Sequence, residues 1–192
     1  MNTFSFKNKA LYAESVAVTD LMVEYGSPLY IYSHSRIVSN WQQFVQAFGN
    51  HPHLTCNGVK ATSNLGVFNV LAKLDSGFDI VLIGELVSVI AAGGTSVSIV
   101  FSGVSITKTE IHRALDLGSL CFNVESAAEL DRVESVANLM STKAPISIRV
   151  NPDVNANTHP YIATGLKENK FGVNIDRALA LYKKAELSKH LD

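Results

Sequence analysis

Short runs rich in β-branched and aromatic residues alternate with longer stretches of helical periodicity along almost the whole chain, and this alternation restricts the fold more than any other feature. The runs are PLYIYS (28–33), LTCNGVK (54–60), FDIVL (78–82), SVSIVF (96–101), CFNV (121–124) and PISIRV (145–150). Between them, apolar residues recur at helical spacing, as in Leu65, Phe68, Leu71 and Leu74. Neighbouring parallel strands need a helix-length return path, so strand–helix alternation predicts a parallel sheet covered by its crossover helices. Helix boundaries are marked locally. Ser33 or Ser35 opens a helix reaching about Phe48, and Ser63 or Asn64 opens the next. Further helices run from near Glu85 to Ala92, from Thr107 or Thr109 to Leu117 with Gly118 ending it, and from about Ile175 to Leu187. Ser126 with Glu129 three residues on has capping-box spacing. Five barrel-type units are visible; a closed eight-unit barrel typically needs about 250 residues. The pattern therefore fits either an open doubly wound sheet or a part of a β/α barrel, and periodicity does not separate the two.

The 192 residues carry 16 Lys and Arg against 17 Asp and Glu, a formal net charge of −1. The lysines are scattered, so no field for holding nucleic acid is expected. The stretch from Ile80 to Phe101 is long enough to span a bilayer, but Glu85 and three glycines argue for buried α/β structure, and no membrane segment is expected. Cys56 and Cys121 lack metal-ligand or redox spacing, and MNTFSFKNK has no secretory pattern. A reducing cytoplasm is the expected location. His51 and His53 form an H-x-H without further ligands at suitable spacing, so no metal site is expected. Gly93 and Gly94 belong to no phosphate-loop pattern, and Ser102 and Ser105 lack a nucleophile-elbow context.

Lys60 is the first candidate for chemistry. It falls where a strand ends and a helix is about to begin, the position that faces the active site in barrels. Flanked by Val59 and Ala61, a partly desolvated lysine there forms a Schiff base with an aldehyde; the plainer alternative is a surface lysine lying along apolar neighbours. Asp79, on the next strand, and Glu85, six residues later, are carboxylates able to tune Lys60, or else helix-capping acids. The loop after Arg149 is long for a strand–helix connection. It carries Asn151, Asp153, Thr158, His159, Tyr161, Lys167 and Lys170, polar groups of the kinds that bind substrates.

The blocks PLYIYS, VKATSNLGVFNVLAKLDSGFDIV, GEL, IVFSGV, CFNVES and RVNPDVNANTHPYIATGLKENKFGV, in this order, resemble bacterial diaminopimelate decarboxylases over nearly the whole chain. The last block is the most specific to that family. The resemblance implies a fold-type III barrel dependent on pyridoxal 5'-phosphate. About five of its eight β/α units would lie in residues 34–192, and residues 1–33 would hold a strand of a separate β domain around PLYIYS. It implies that Lys60 is the lysine bonded to the cofactor, that Asp79, Glu85 and Arg149 lie around the cofactor, and that His159 and Tyr161 belong to the loop closing on the substrate side. The implied reaction converts meso-2,6-diaminopimelate to L-lysine and CO2 in lysine biosynthesis, in a homodimer.

Seven positions depart from the family pattern: Asn57, Gly58 and Thr62 around the lysine, Leu82 and Ile83 before the GE pair, and Ser105 and Ile106 after FSGV. These are expected in pocket-side loops rather than in the core. Family members are roughly twice as long, and several implied pocket groups belong to their second half. The isolated chain is therefore expected to be inactive. A degenerate homologue serving as a binding or interaction module is the alternative, distinguished by whether the cofactor binds.

Overall fold

A computed structural model describes residues 3–154 and 171–192. The chain opens with a small antiparallel meander of β1 (Phe4–Lys7), β2 (Ala10–Ala13) and β3 (Val16–Ala17), followed by α1 (Val18–Tyr25). Asn8, Lys9 and Glu14 take the left-handed backbone conformation at its turns, with φ of 50°, 67° and 56°, a conformation that suits two-residue hairpin connections. α1 buries none of its residues.

Residues 28–33 correct one expectation, since they form no strand. A strand exists only through its ladder, and no described segment pairs with these residues, so Tyr30 (87% exposed) and Tyr32 (52%) stand in solvent. Ser33 instead caps α2 (His34–Gln46), its hydroxyl accepting from the Arg36 N–H at 3.1 Å.

The remainder is a five-stranded parallel sheet with its helices. β4 (Cys56–Gly58) leads through a 3-10 turn at Val59–Ala61 to α3 (Leu65–Ala72). β5 (Gly77–Ile80) is followed by α4 (Ile83–Ala91), β6 (Ile99–Phe101) by α5 (Lys108–Asp116), and β7 (Cys121–Val124) by α6 (Ala127–Leu139), before β8 (Ile146–Ile148). The strands lie in the order β4-β5-β6-β7-β8. Because space follows sequence with no reversal, each crossover advances in the same direction. A doubly wound sheet would reverse at a switch point, whereas a β/α barrel advances without reversal. The sheet is thus barrel-type.

Alternation along the strands divides the sheet into two unlike faces. Phe78, Ile80, Ile99, Phe101, Phe122, Val124 and Ile148 point into the helix layer and are at most 7% exposed, joined there by Phe68, Leu86, Val89, Ile111, Leu130 and Val133. The opposite face carries Gly58, Asp79, Val100, Asn123 and Ser147, aligned by register: Gly58 pairs with Asp79, Asp79 with Val100, and Asn123 with Ser147. Gly77 is needed where it stands, since a Cβ there would lie 2.6 Å from the Cys56 sulfur and 2.8 Å from the Ser98 carbonyl oxygen.

Three successive strand–helix connections close in the same way. Glu85, Glu110 and Glu129, each three residues past the N-cap of its helix, turn their carboxylates back onto N–H groups of the preceding loop: Val81 (2.6 Å), Thr107 (2.9 Å) and Glu125 (2.7 Å) respectively. Each satisfies donors a helix start leaves unpaired and places negative charge at its positive end. Beyond β8, β9 (Val150–Asn151) pairs in parallel with β10 (Val173–Asn174), and α7 (Ile175–Glu186) follows. Ala144 and Leu191 form a parallel bridge beside β8. Among the described residues no helix is long and apolar enough to cross a membrane.

Candidate active site

Parallel strands all end on one side, so the last residue of each strand and the first of the following loop converge there. Lys60 lies just beyond these positions on β4. It lies in the 3-10 turn two positions past Gly58, exposed to solvent, while its neighbour Val59 is 2% exposed and anchors the turn in the core. A Cβ on Gly58 would meet no atom within 4 Å, so the inner face of β4 below Lys60 borders open space.

Beside that space is a cleft of about 420 Å³ lined by Asp79, Ser102, Asn123, Glu125, Ser147 and Arg149. Every one of these side chains is polar, in a sheet whose other face is almost wholly apolar. The Ser102 hydroxyl donates to the Asp79 carboxylate. The Asn123 amide donates to the Ser102 Oγ at 2.8 Å, and the Ser147 hydroxyl donates to the Asn123 Oδ1 at 2.5 Å. At the far end, the Arg149 guanidinium pairs with Glu125 at 2.8 Å and lies 5.1 Å from the centre of the Phe171 ring.

Two of the site residues expected from sequence, Asp79 and Arg149, thus share one cleft, with Lys60 on the adjoining strand end. Glu85 is engaged elsewhere. Its carboxylate is bound to the Val81 and Leu82 N–H groups, and it borders a separate, more apolar pocket with Val59, Phe68, Leu82 and Glu110. His159 and Tyr161 lie outside the described residues. Ser102, Asn123, Glu125 and Ser147 were not anticipated. The signal available for Asn123 and Ser147 was a polar residue between two apolar ones in a short strand, as in Phe122-Asn123-Val124 and Ile146-Ser147-Ile148; Ser102 and Glu125 are each the polar residue directly after a strand.

The departures from the family pattern also need correcting in one respect. Ile106 is 2% exposed and belongs to the core, and Ile83 packs against it, so these two are not confined to solvent-facing loops. An apolar side chain at the start of a helix packs under its first turn, where it is shielded from water. Leu82, by contrast, is 59% exposed. Asn57 Nδ2 is buried without a hydrogen-bond partner. His53 turns its Nδ1 to the His51 carbonyl oxygen at 2.7 Å and stacks on Phe48, and among the described residues no cluster of potential ligands is suited to a metal.

Comparison with known proteins decides the family. Residues 34–192 match the model of the pyridoxal-dependent decarboxylase, pyridoxal binding domain. The chain belongs to the pyridoxal-dependent decarboxylase family. It is 54% identical over 185 residues to the diaminopimelate decarboxylase of Haemophilus influenzae, covering 96% of this chain and 45% of that protein. It is 52% identical to that of Pseudomonas aeruginosa over 192 residues, 100% of this chain and 46% of the relative. The chain therefore spans about half the length of the curated relatives it matches. Among solved structures it resembles Helicobacter pylori diaminopimelate decarboxylase complexed with L-lysine, with a TM-score of 0.87 and 43% identity over 91% of this chain and 44% of that one. It also resembles the M. jannaschii enzyme in co-complex with L-lysine, with a TM-score of 0.90 and 32% identity over 100% of this chain and 46% of that one.

The side chains present suit the family's cofactor, pyridoxal phosphate. Lys60 would supply the primary amine an aldehyde requires, just past a strand end bordered by open space, and Asp79 would supply a fixed carboxylate on the paired strand.

Proposed function

We propose that this chain is the lysine-bearing part of a diaminopimelate decarboxylase, acting on meso-2,6-diaminopimelate to release CO2 and form L-lysine. The observation that carries the reading is the placement of Lys60. In a chain of this family it lies two residues past Gly58, whose register partner Asp79 lines an open polar cleft.

Lys60 would hold the cofactor covalently through its amine, because it is the primary amine in the turn that follows β4. Asp79 would face it from β5, its carboxylate aimed by the Ser102 hydroxyl. Arg149, tied to Glu125, would close the far wall as a cation held in one orientation. Bound there, pyridoxal phosphate supplies an electron sink for the electrons left when the substrate carboxylate departs. Glu85 would act indirectly by fixing the β5–α4 connection, and His159 and Tyr161 would contribute from the substrate side. Residues 1–33 would belong to a β domain completed elsewhere in a longer protein, in agreement with the exposed Tyr30 and Tyr32. That protein would be a cytoplasmic homodimer.

A chimera tests this reading. The chain is placed in the Haemophilus influenzae relative in exchange for the aligned 45% of that protein, and L-lysine formation from meso-diaminopimelate is measured. The reading predicts turnover that disappears in the Lys60→Ala version. A chimera that folds and binds pyridoxal phosphate yet forms no L-lysine would contradict it.

A further inference from the structure

We propose that Ser102, Asn123 and Ser147 are positioning residues, a single hydrogen-bonded row across four strands that fixes the Asp79 carboxylate beside the Lys60 turn. This rests on the reading of Lys60 and Asp79 given above. Three of the four residues lie on strands, Asp79 on β5, Asn123 on β7 and Ser147 on β8, and Ser102 is the first residue after β6.

The polarity of the row follows from its end. An ionised carboxylate only accepts, so the Ser102 hydroxyl must spend its proton on Asp79 and present its lone pairs to the next group. Asn123 must then turn its NH2 toward Ser102, which is the bond seen at 2.8 Å. Its carbonyl oxygen is left facing β8, where it can only accept, and the Ser147 hydroxyl donates to it at 2.5 Å. All three donors therefore point toward Asp79, and each bond polarises the next in the same sense. The amide of Asn123 has only one orientation that satisfies both neighbours.

A further feature sets the row apart from ordinary strand polarity. On the opposite face the same strands carry Phe101, Phe122, Val124 and Ile148, all at most 7% exposed. Three adjacent polar side chains lining the cleft of the same sheet have no packing function that alanine or valine would not serve. Their common endpoint is the carboxylate paired in register with Gly58, two residues before Lys60.

The test uses the full chain and reads two independent signals. One is the amount of pyridoxal phosphate trapped on Lys60 by borohydride, measured by mass; the other is the side-chain carboxyl carbon resonance of Asp79 in the cofactor-free chain. Ser102→Ala should lower trapping about tenfold, as expected for removing a hydrogen bond to a charged group. Ser147→Ala should lower it less, by about threefold, because its influence passes through two further bonds. Ser147→Thr, which keeps the hydroxyl, should restore it. Both alanine variants should shift the Asp79 resonance while the thermal midpoint stays close to that of the parent. Ser147 touches neither Asp79 nor the Lys60 turn, so a merely structural role predicts no movement of that resonance. An Asp79 resonance unmoved by Ser147→Ala overturns the proposal, and so does equal trapping in Ser102→Ala when the parent does trap cofactor on Lys60. If the parent traps no cofactor on Lys60 while the Asp79 resonance still responds, the functional reading fails and the row stands.

Discussion

The Glu125 carboxylate holds the Arg149 guanidinium at 2.8 Å with one oxygen and accepts from the Gly172 N–H at 2.9 Å with the other. One buried acid, its side chain 6% exposed, thereby joins the end of β7, the segment after β8 and the residue preceding β10. Gly172 suits this contact because its φ of +82° is a conformation most side chains avoid, and a Cβ would lie 3.1 Å from the Arg149 carbonyl oxygen.

Removing Arg149 strands a buried carboxylate, whereas removing the charge of Glu125 leaves a half-exposed cation that water solvates. Arg149→Ala should therefore cost more stability than Glu125→Gln, by roughly 1–3 kcal/mol. Urea unfolding of both variants and their combination measures this, and the double variant should recover part of the Arg149→Ala loss.

Glu14 fastens the meander to the start of α2. Its Oε1 accepts from the Ser33 hydroxyl at 2.6 Å, the Ser35 N–H at 2.9 Å and the Ser35 hydroxyl at 2.9 Å. These bonds, that from Ser33 foremost, lower its pKa to about 2. A depressed acid contributes stability that is fully present above its ordinary value of 4.5 and lost as pH falls through about 2. Amide exchange at Ser35 and Arg36 should accelerate, relative to intrinsic rates, between those pH values. In Glu14→Gln this acid-induced loss of protection should be absent.

Glu129 has the opposite sign. It is 4% exposed, its Oε1 lacks a hydrogen-bond partner, and burial pushes its pKa up. A raised acid favours the folded state below its unfolded value, and that contribution disappears as pH rises through the folded value. Glu129→Gln keeps an acceptor for the Glu125 N–H and removes the titration. Stability measured from pH 4 upward should fall less steeply in the variant than in the parent.

Burial, with the Asp79 carboxylate adding to it, pushes the thiols of Cys56 and Cys121 up. Only thiolates alkylate readily, so iodoacetamide should modify both cysteines more slowly than a free peptide thiol at pH 8. Asp79→Asn should speed both reactions.

Much of the barrel segment was legible because its boundary signals are local. Ser33, Asn64, Thr107 and Ser126 each cap the helix that their side chains announce, accepting from Arg36, Val67, Glu110 and Glu129. The meander was missed because β1 to β3 are only two to four residues long and, Ala13 apart, incompletely buried, too short to show a periodic apolar pattern. PLYIYS misled for the converse reason: it has strand composition, but strand formation depends on a partner elsewhere. Lys60 and Asp79 stood out as charges next to apolar runs. Ser102, Asn123 and Ser147 did not, since their role arises from register between strands some 20 residues apart in sequence. Glu125 was hidden likewise, because its partners Arg149 and Gly172 are 24 and 47 residues away.

We propose that Lys60 is the cofactor-bearing lysine. The most direct test is a visible absorption spectrum of the purified chain with pyridoxal phosphate, followed by borohydride reduction and peptide mass mapping. A band characteristic of lysine-bound cofactor is expected, with the reduced label concentrated on Lys60 and absent from Lys60→Ala. Absence of the band, or label spread evenly over surface lysines such as Lys73, Lys108 and Lys183, would contradict it.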